Sequence, residues 1–236
     1  SDIEPQLAEV GEFNNSANFG RADKGAAYML HARLALNSEV YTKGAVKDYQ
    51  KAIDYCNLLD GKYELSKAEK NGYTGYEQVF MADNDQNVQA MKEIILPIRQ
   101  DGAKTKCYSG ANYLVSSTRI TGMPYIGTSN GWSCNFSRAA LVKKFFSTIE
   151  DCPLATEAAP KDATEADIIA LDKAAGTTTK DVQAKANDDR ALFYSGCGGG
   201  LRKLQADQIA GFNSGLSIVK WSNIRTDGAA TSHNEF

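Results

Sequence analysis

The sequence is poor in the residues that most catalytic and metal sites need. It has only two histidines, His31 and His233, and neither lies near a recognisable nucleophile motif. Its five cysteines are far apart and form no Cys-x-x-Cys pair, the spacing typical of zinc sites. No apolar run approaches the roughly 20 residues that a membrane-spanning helix needs. Triad catalysis, zinc binding and a membrane-spanning helix are therefore not indicated.

The sequence also lacks a strong charge of either sign. It has 26 Lys and Arg residues against 29 Asp and Glu residues, spread along the chain, and a net charge of −3. Proteins that bind nucleic acid usually carry a basic patch that neutralises phosphates. No nucleic-acid partner is therefore expected.

The clearest periodic pattern predicts a helical hairpin within residues 1–61. In residues 21–37, small side chains recur at helical spacing on one face, and Met29, Leu30 and Leu34 lie on a second apolar face. A second helical pattern follows Gly44 and ends at Gly61, a residue that suits a helix C-terminus. Two apolar faces predict that the first helix is buried on both sides, as in a tetratricopeptide-like hairpin that stacks between neighbours.

Residues 62–236 predict a second, loop-rich region. Residues 93–98 are typical of an edge strand, residues 216–221 of another strand, and residues 100–137 of a long irregular segment. Residues 152–187, with few aromatics, predict a variable surface insertion with one or two helical pieces. The fold class is thus mainly α, with a helical hairpin scaffold, long irregular loops and a few short strands.

The two chain ends suggest that this fold extends beyond the sequence. The chain begins without methionine, and its last polar residues, 226–236, carry no closing helix. We therefore expect an incomplete fragment of a larger single fold.

The irregular segment has a composition that suits carbohydrate. Tyr108, Tyr113, Tyr125 and Trp132 stand there among Gly, Ser, Thr and Asn residues. Flat aromatic faces pack on the C–H faces of sugar rings, while amides and hydroxyls bind the sugar hydroxyls. For any one of these rings, packing beneath its own loop is the alternative.

Several segments, in a fixed order, resemble those of the SusD/RagB family. They are NFGRADKGAAYMLHARLALNSEVYT, VFMADNDQN, EIILPIRQDG, SNGWSC, DDRALFYSG and GLSIVKWSNIRTDG. The resemblance runs from Phe19 onward and is weakest within residues 152–187. It implies a tetratricopeptide-like scaffold and a surface lipoprotein of the outer membrane, anchored through an N-terminus outside this chain.

The resemblance also implies particular site residues. The glycan-contacting aromatics of the family's starch-binding member match Tyr108 and Trp132, and we expect nearby Asn130, Asn112 and Lys106 to bind sugar hydroxyls. That member carries a calcium ion in a similar place to the ADNDQN stretch. Asp85 and Gln100 are therefore the predicted ligands of a structural calcium ion, with a solvated acidic loop as the alternative.

The function that the resemblance implies is non-catalytic. The predicted partners are an α-glucan, starch or maltooligosaccharide, and a TonB-dependent transporter to which the glycan is delivered, and no cofactor is required. Two alternatives stay open. The chain is a structural adaptor whose aromatics only pack loops, or it is a hydrolase with two carboxylates facing each other across a cleft.

Overall fold

The computed structural model describes residues 2–14, 17–100, 104–105, 110–119, 123, 125–128, 131–132, 134–148, 151–153, 179–194 and 215–231. By its contacts the chain divides into two compact units. The first unit comprises residues 1–79 and 83–99, and the second comprises residues 80–82 and 100–236. The helical hairpin lies in the first unit, and the predicted glycan-binding segment lies in the second.

The first unit is built from short helices. After a 3₁₀ turn at Glu4–Gln6 come α1 (Lys24–Leu36), α2 (Ser38–Tyr41), α3 (Tyr49–Asn57), α4 (Gly75–Gln78) and α5 (Val88–Glu93). Helices α1 and α3 pack against each other, as the periodicity predicts. Their contact uses small residues, because Ala32, Ala35 and Ala52 are all buried.

The second apolar face of α1 is exposed in the described residues. Leu30 is 59% and Leu34 is 48% exposed. Within the described residues, only α3 packs extensively on this helix, and it covers the alanine face. The prediction required further helices, in this chain or outside it, to complete the stack; the described residues leave Leu30 and Leu34 exposed, and burial of this face stays a prediction.

The start of α1 is fixed by one buried carboxylate. Asp23 is the N-terminal cap: its Oδ1 accepts a hydrogen bond from the amide of Ala26 at 3.1 Å. Its Oδ2 accepts another from the amide of Gly11 at 2.9 Å, which ties the preceding loop to the helix. Close by, burial is the main cause that raises the pKa of Tyr63 to about 12, and the charge of Asp23 adds to it.

We expect Asp23→Ala to lower the unfolding free energy by about 2 kcal/mol, since it removes a helix cap and leaves the Gly11 amide unpaired. Asp23→Asn keeps an oxygen for one of the two amides, so about half of the loss is expected. Urea denaturation of both variants measures the difference. A loss for alanine no larger than that for asparagine would refute the double role of Asp23.

In the part of the chain that the structure describes, the second unit contains three more helices and a small sheet. The helices are α6 (Ala111–Thr118), α7 (Ala139–Val142) and α8 (Thr179–Ala186), and the strands are β1 (Phe136–Ser137), β2 (Phe193–Tyr194) and β3 (Leu216–Ile218). The strands pair antiparallel in the order β1-β3-β2, with Ser217 opposite both Phe136 and Tyr194. The prediction of a mainly helical chain with a few short strands is confirmed.

The core of the second unit lies beside this sheet. Its buried residues are Val142, Phe146, Cys152, Val182, Ala191, Phe193 and Leu216. Val182 belongs to α8, so the end of the predicted surface insertion in fact contributes to the core; residues 154–178 of that insertion lie outside the described residues.

Before β2, the guanidinium of Arg190 lowers the pKa of Asp188 by hydrogen bonding to its carboxylate.

Two further predictions of local structure were wrong. Of residues 93–98, Glu93 ends α5 and the others form no strand, because an apolar run becomes a strand only where another strand pairs with it and no described strand does so here; Ile98 is 90% exposed. The segment predicted to be irregular contains α6. No described helix is long and apolar enough to cross a membrane.

Candidate functional site

The candidate site is built on α6, which the second unit holds by a small apolar cluster. Val115 is 2% exposed and packs with Met123 and Ile126. Tyr113 lies two residues earlier on the helix, about 200° around its axis, and its side chain is 43% exposed. The helix is therefore anchored in the second unit and presents one aromatic ring to solvent.

The segment that carries Trp132 is fixed to the C-terminal end of the same helix. The amide of Trp132 donates to the carbonyl of Ser116 at 2.9 Å, and the amides of Cys134 and Asn135 donate to the carbonyl of Ser117 at 3.0 and 2.9 Å. The last carbonyls of a helix have no partner within it, so these three bonds satisfy groups that α6 would otherwise leave open. Trp132 is thereby held beside the helix through its own backbone.

The rings of Trp132 and Tyr113 meet at the surface. Their centroids are 5.9 Å apart and their planes are inclined by 54°. Trp132 is 37% exposed, so both rings are partly accessible to solvent. The two residues form what we call the aromatic platform, a pair of accessible, inclined aromatic faces on α6.

Of the other predicted glycan-binding residues, the structure describes Asn112 alone. Asn112 lies on α6 next to Tyr113, but it is only 9% exposed. Tyr108, Asn130 and Lys106 lie outside the described residues. The structure thus places Asn112 and Trp132 on and beside one helix, and the glycan contacts of all five residues stay predictions.

The predicted calcium ligands belong to different units. Asp85, in the first unit, pairs with the guanidinium of Arg99 at 3.2 Å. The side chain of Gln100, in the second unit, lies beside Gly110 at the start of α6, where a Cβ on Gly110 would come within 2.9 Å of its Nε2. Among the described residues, no group of three or more His, Cys, Asp and Glu could hold a metal ion. One carboxylate oxygen of Asp85 is already paired with Arg99, and the calcium site stays a prediction.

His31 has a packing role in the first unit. Its Nε2 lies 3.0 Å from a carboxylate oxygen of Glu4, and its ring stacks on Tyr55 with centroids 4.7 Å apart. The ring is therefore used to join the N-terminal 3₁₀ turn to the hairpin. His233 lies outside the described residues.

An exposed pair of aromatic rings offers flat apolar faces that can pack on a sugar ring or on another protein. Comparison with curated proteins finds the starch-binding protein SusD of Bacteroides thetaiotaomicron, which is 53% identical over 238 aligned positions. The alignment covers 99% of this chain and 41% of the length of that protein. No protein-family model matches the chain. The chain is thus a SusD-like sequence, and the predicted family resemblance is confirmed.

Proposed function

We propose that this chain takes part in the non-catalytic binding of starch and maltooligosaccharides at the surface of the outer membrane. The observation that carries the proposal is the exposure of Trp132, on a chain 53% identical to a starch-binding protein. An accessible indole face can pack on a glucose ring, and Nε1 is a donor for a sugar hydroxyl.

The proposed contacts extend from this ring to its neighbours. Tyr108 supplies a second stacking face, and Asn130, Asn112 and Lys106 bind hydroxyl groups of the same glycan. Delivery of the glycan to a TonB-dependent transporter, attachment to the membrane by a lipid, and a structural calcium ion at Asp85 and Gln100 are further parts of the proposal. They rest on the family resemblance.

The proposal and its alternatives differ in whether the indole of Trp132 must be accessible. An adaptor whose aromatics only pack loops needs no accessible indole, whereas a glycan platform does. A hydrolase would also need two carboxylates opposed across the bound glycan. The accessible Trp132 ring supports the glycan-binding alternative.

Isothermal titration of maltoheptaose into the intact protein tests the proposal. We expect the double variant Tyr108→Ala/Trp132→Ala to lose measurable binding, because each aromatic face contributes on the order of 1 kcal/mol or more to stacking. Tyr41→Ala, an exposed tyrosine of the first unit, is the matched control and should bind like the parent protein.

A reducing-sugar assay with amylose accompanies the titration. No release of sugar is expected from the parent protein. Unchanged binding in the double variant would place the site elsewhere, and release of reducing ends would establish the hydrolase alternative in place of simple capture.

A further inference from the structure

Tyr113 contacts Trp132, and the family resemblance assigns no role to Tyr113. It is not one of the aromatics carried over from the family, yet its ring contacts the indole of Trp132 with centroids 5.9 Å apart. Both side chains are substantially exposed, at 43% and 37%. Since an exposed indole can rotate about its side-chain torsions, a ring packed against one side of it limits those rotations.

Helix α6 fixes the two members of this pair by different means. Tyr113 projects from the helix itself, whose opposite side is anchored by Val115 in the apolar cluster. Trp132 is attached through its amide to the carbonyl of Ser116, one helical turn after Tyr113. The backbone of Trp132 is thereby held within about one helical turn of Tyr113, and the two rings meet there.

We propose that Tyr113 is a positioning residue, whose ring supports the indole of Trp132 and sets the angle at which that indole meets a glycan. This inference rests on the proposed function, because it assumes that Trp132 contacts sugar. Tyr113 contacts the indole with the two ring planes inclined by 54°, and Trp132 is 37% exposed, so part of the indole stays accessible to a ligand. The aromatic ring performs this role and the hydroxyl does not, so a phenylalanine at position 113 should support Trp132 as well as tyrosine does.

The test uses the intact protein labelled with 5-fluorotryptophan. The fluorine resonance of Trp132 is assigned by its disappearance in Trp132→Phe. In Tyr113→Ala we expect that resonance to shift before any glycan is added, because the indole loses the neighbouring ring current. The same variant should bind maltoheptaose roughly five- to tenfold more weakly, the effect of one aromatic contact. Tyr113→Phe should restore both the resonance and the affinity.

The outcomes separate this inference from the proposed function. If Trp132→Ala binds maltoheptaose normally, the proposed function fails. If Trp132→Ala loses binding and Tyr113→Ala retains it, the proposed function stands and the positioning role is refuted. An equal loss in Tyr113→Phe and Tyr113→Ala would also refute it, because the tyrosine hydroxyl would then be the contributing group. Thermal unfolding of each variant confirms that the compared proteins are folded.

Discussion

Gln78→Ala is expected to lower the unfolding free energy of the first unit by about 3 kcal/mol, roughly 1 kcal/mol for each hydrogen bond lost. The Gln78 side chain is completely buried. Its Nε2 donates to the carbonyls of Ala68 and Tyr73 at 2.8 and 3.1 Å, and its Oε1 accepts from the amide of Asn87 at 2.9 Å. Alanine breaks all three bonds and leaves the buried Asn87 amide without this acceptor.

The effect should be large because Gln78 joins three segments. It ends α4, it fixes the loop of residues 68–73, and it holds Asn87, whose Oδ1 caps α5 by accepting from the amide of Gln89 at 3.1 Å. Loss of Gln78 therefore weakens the start of a second helix as well as the loop.

An exposed glutamine gives the matched control. Gln50 on α3 hydrogen-bonds only along its own helix, from Nε2 to Oδ1 of Asp54 at 3.0 Å. Gln50→Ala should change the unfolding free energy by less than about 0.5 kcal/mol. Urea denaturation compares the two, and equal shifts in the two midpoints would show that the buried network contributes no more than a surface pair does.

Local signals in the sequence were enough to predict α1. Its periodic small residues lie within a few positions of one another, and the structure confirms a helix in this segment, from Lys24 to Leu36; the cap formed by Asp23 was not predicted. The exposure of Leu30 and Leu34 could not be predicted in the same way. It depends on which elements lie against the second face, and that information is not local.

Helix α6 shows the opposite case, because its residues disfavour the helix that they form. Ala111–Thr118 contains Val, Ser and Thr residues, which have weak helix propensity, and four consecutive residues, Val115 to Thr118, are almost fully buried. When consecutive residues are buried, the buried positions do not recur every 3.6 residues, so the sequence shows no helical pattern. The helix is stabilised by its surroundings, including the bonds from residues 132–135 to its last carbonyls, and these are tertiary contacts.

The candidate site also combines features that the sequence predicts with features that it does not. Composition pointed to the aromatics of the irregular segment as a group, because aromatics among amides and hydroxyls suit sugar binding, and the family resemblance singled out Trp132 among them. The role that we infer for Tyr113 was not, since its ring meets Trp132 only after the chain has folded back over 19 residues. The sequence could identify Trp132 as one ring of the aromatic platform, but the role of Tyr113 in supporting it follows only from the tertiary structure.

Gly131→Ala is expected to displace Trp132 and weaken the proposed glycan binding roughly tenfold, a loss of about 1.4 kcal/mol. A Cβ on Gly131 would lie 2.7 Å from the carbonyl oxygen and 3.2 Å from the carbonyl carbon of Arg119. Both atoms belong to the backbone at the end of α6, so no side chain can rotate away to make room. The segment must move, and the hydrogen bonds from residues 132–135 to Ser116 and Ser117 lengthen with it.

Cys134→Ala is the matched control, because its exposed side chain can be shortened while its amide still donates to Ser117. It should bind maltoheptaose like the parent protein. We expect Gly131→Ala alone to shift the fluorine resonance of Trp132 and raise the dissociation constant in titration. If the resonance shifts and the affinity does not change, Trp132 is displaced without consequence, and the stacking that we propose for its indole does not contribute to binding. If neither changes, the close approach of Gly131 to α6 does not fix Trp132.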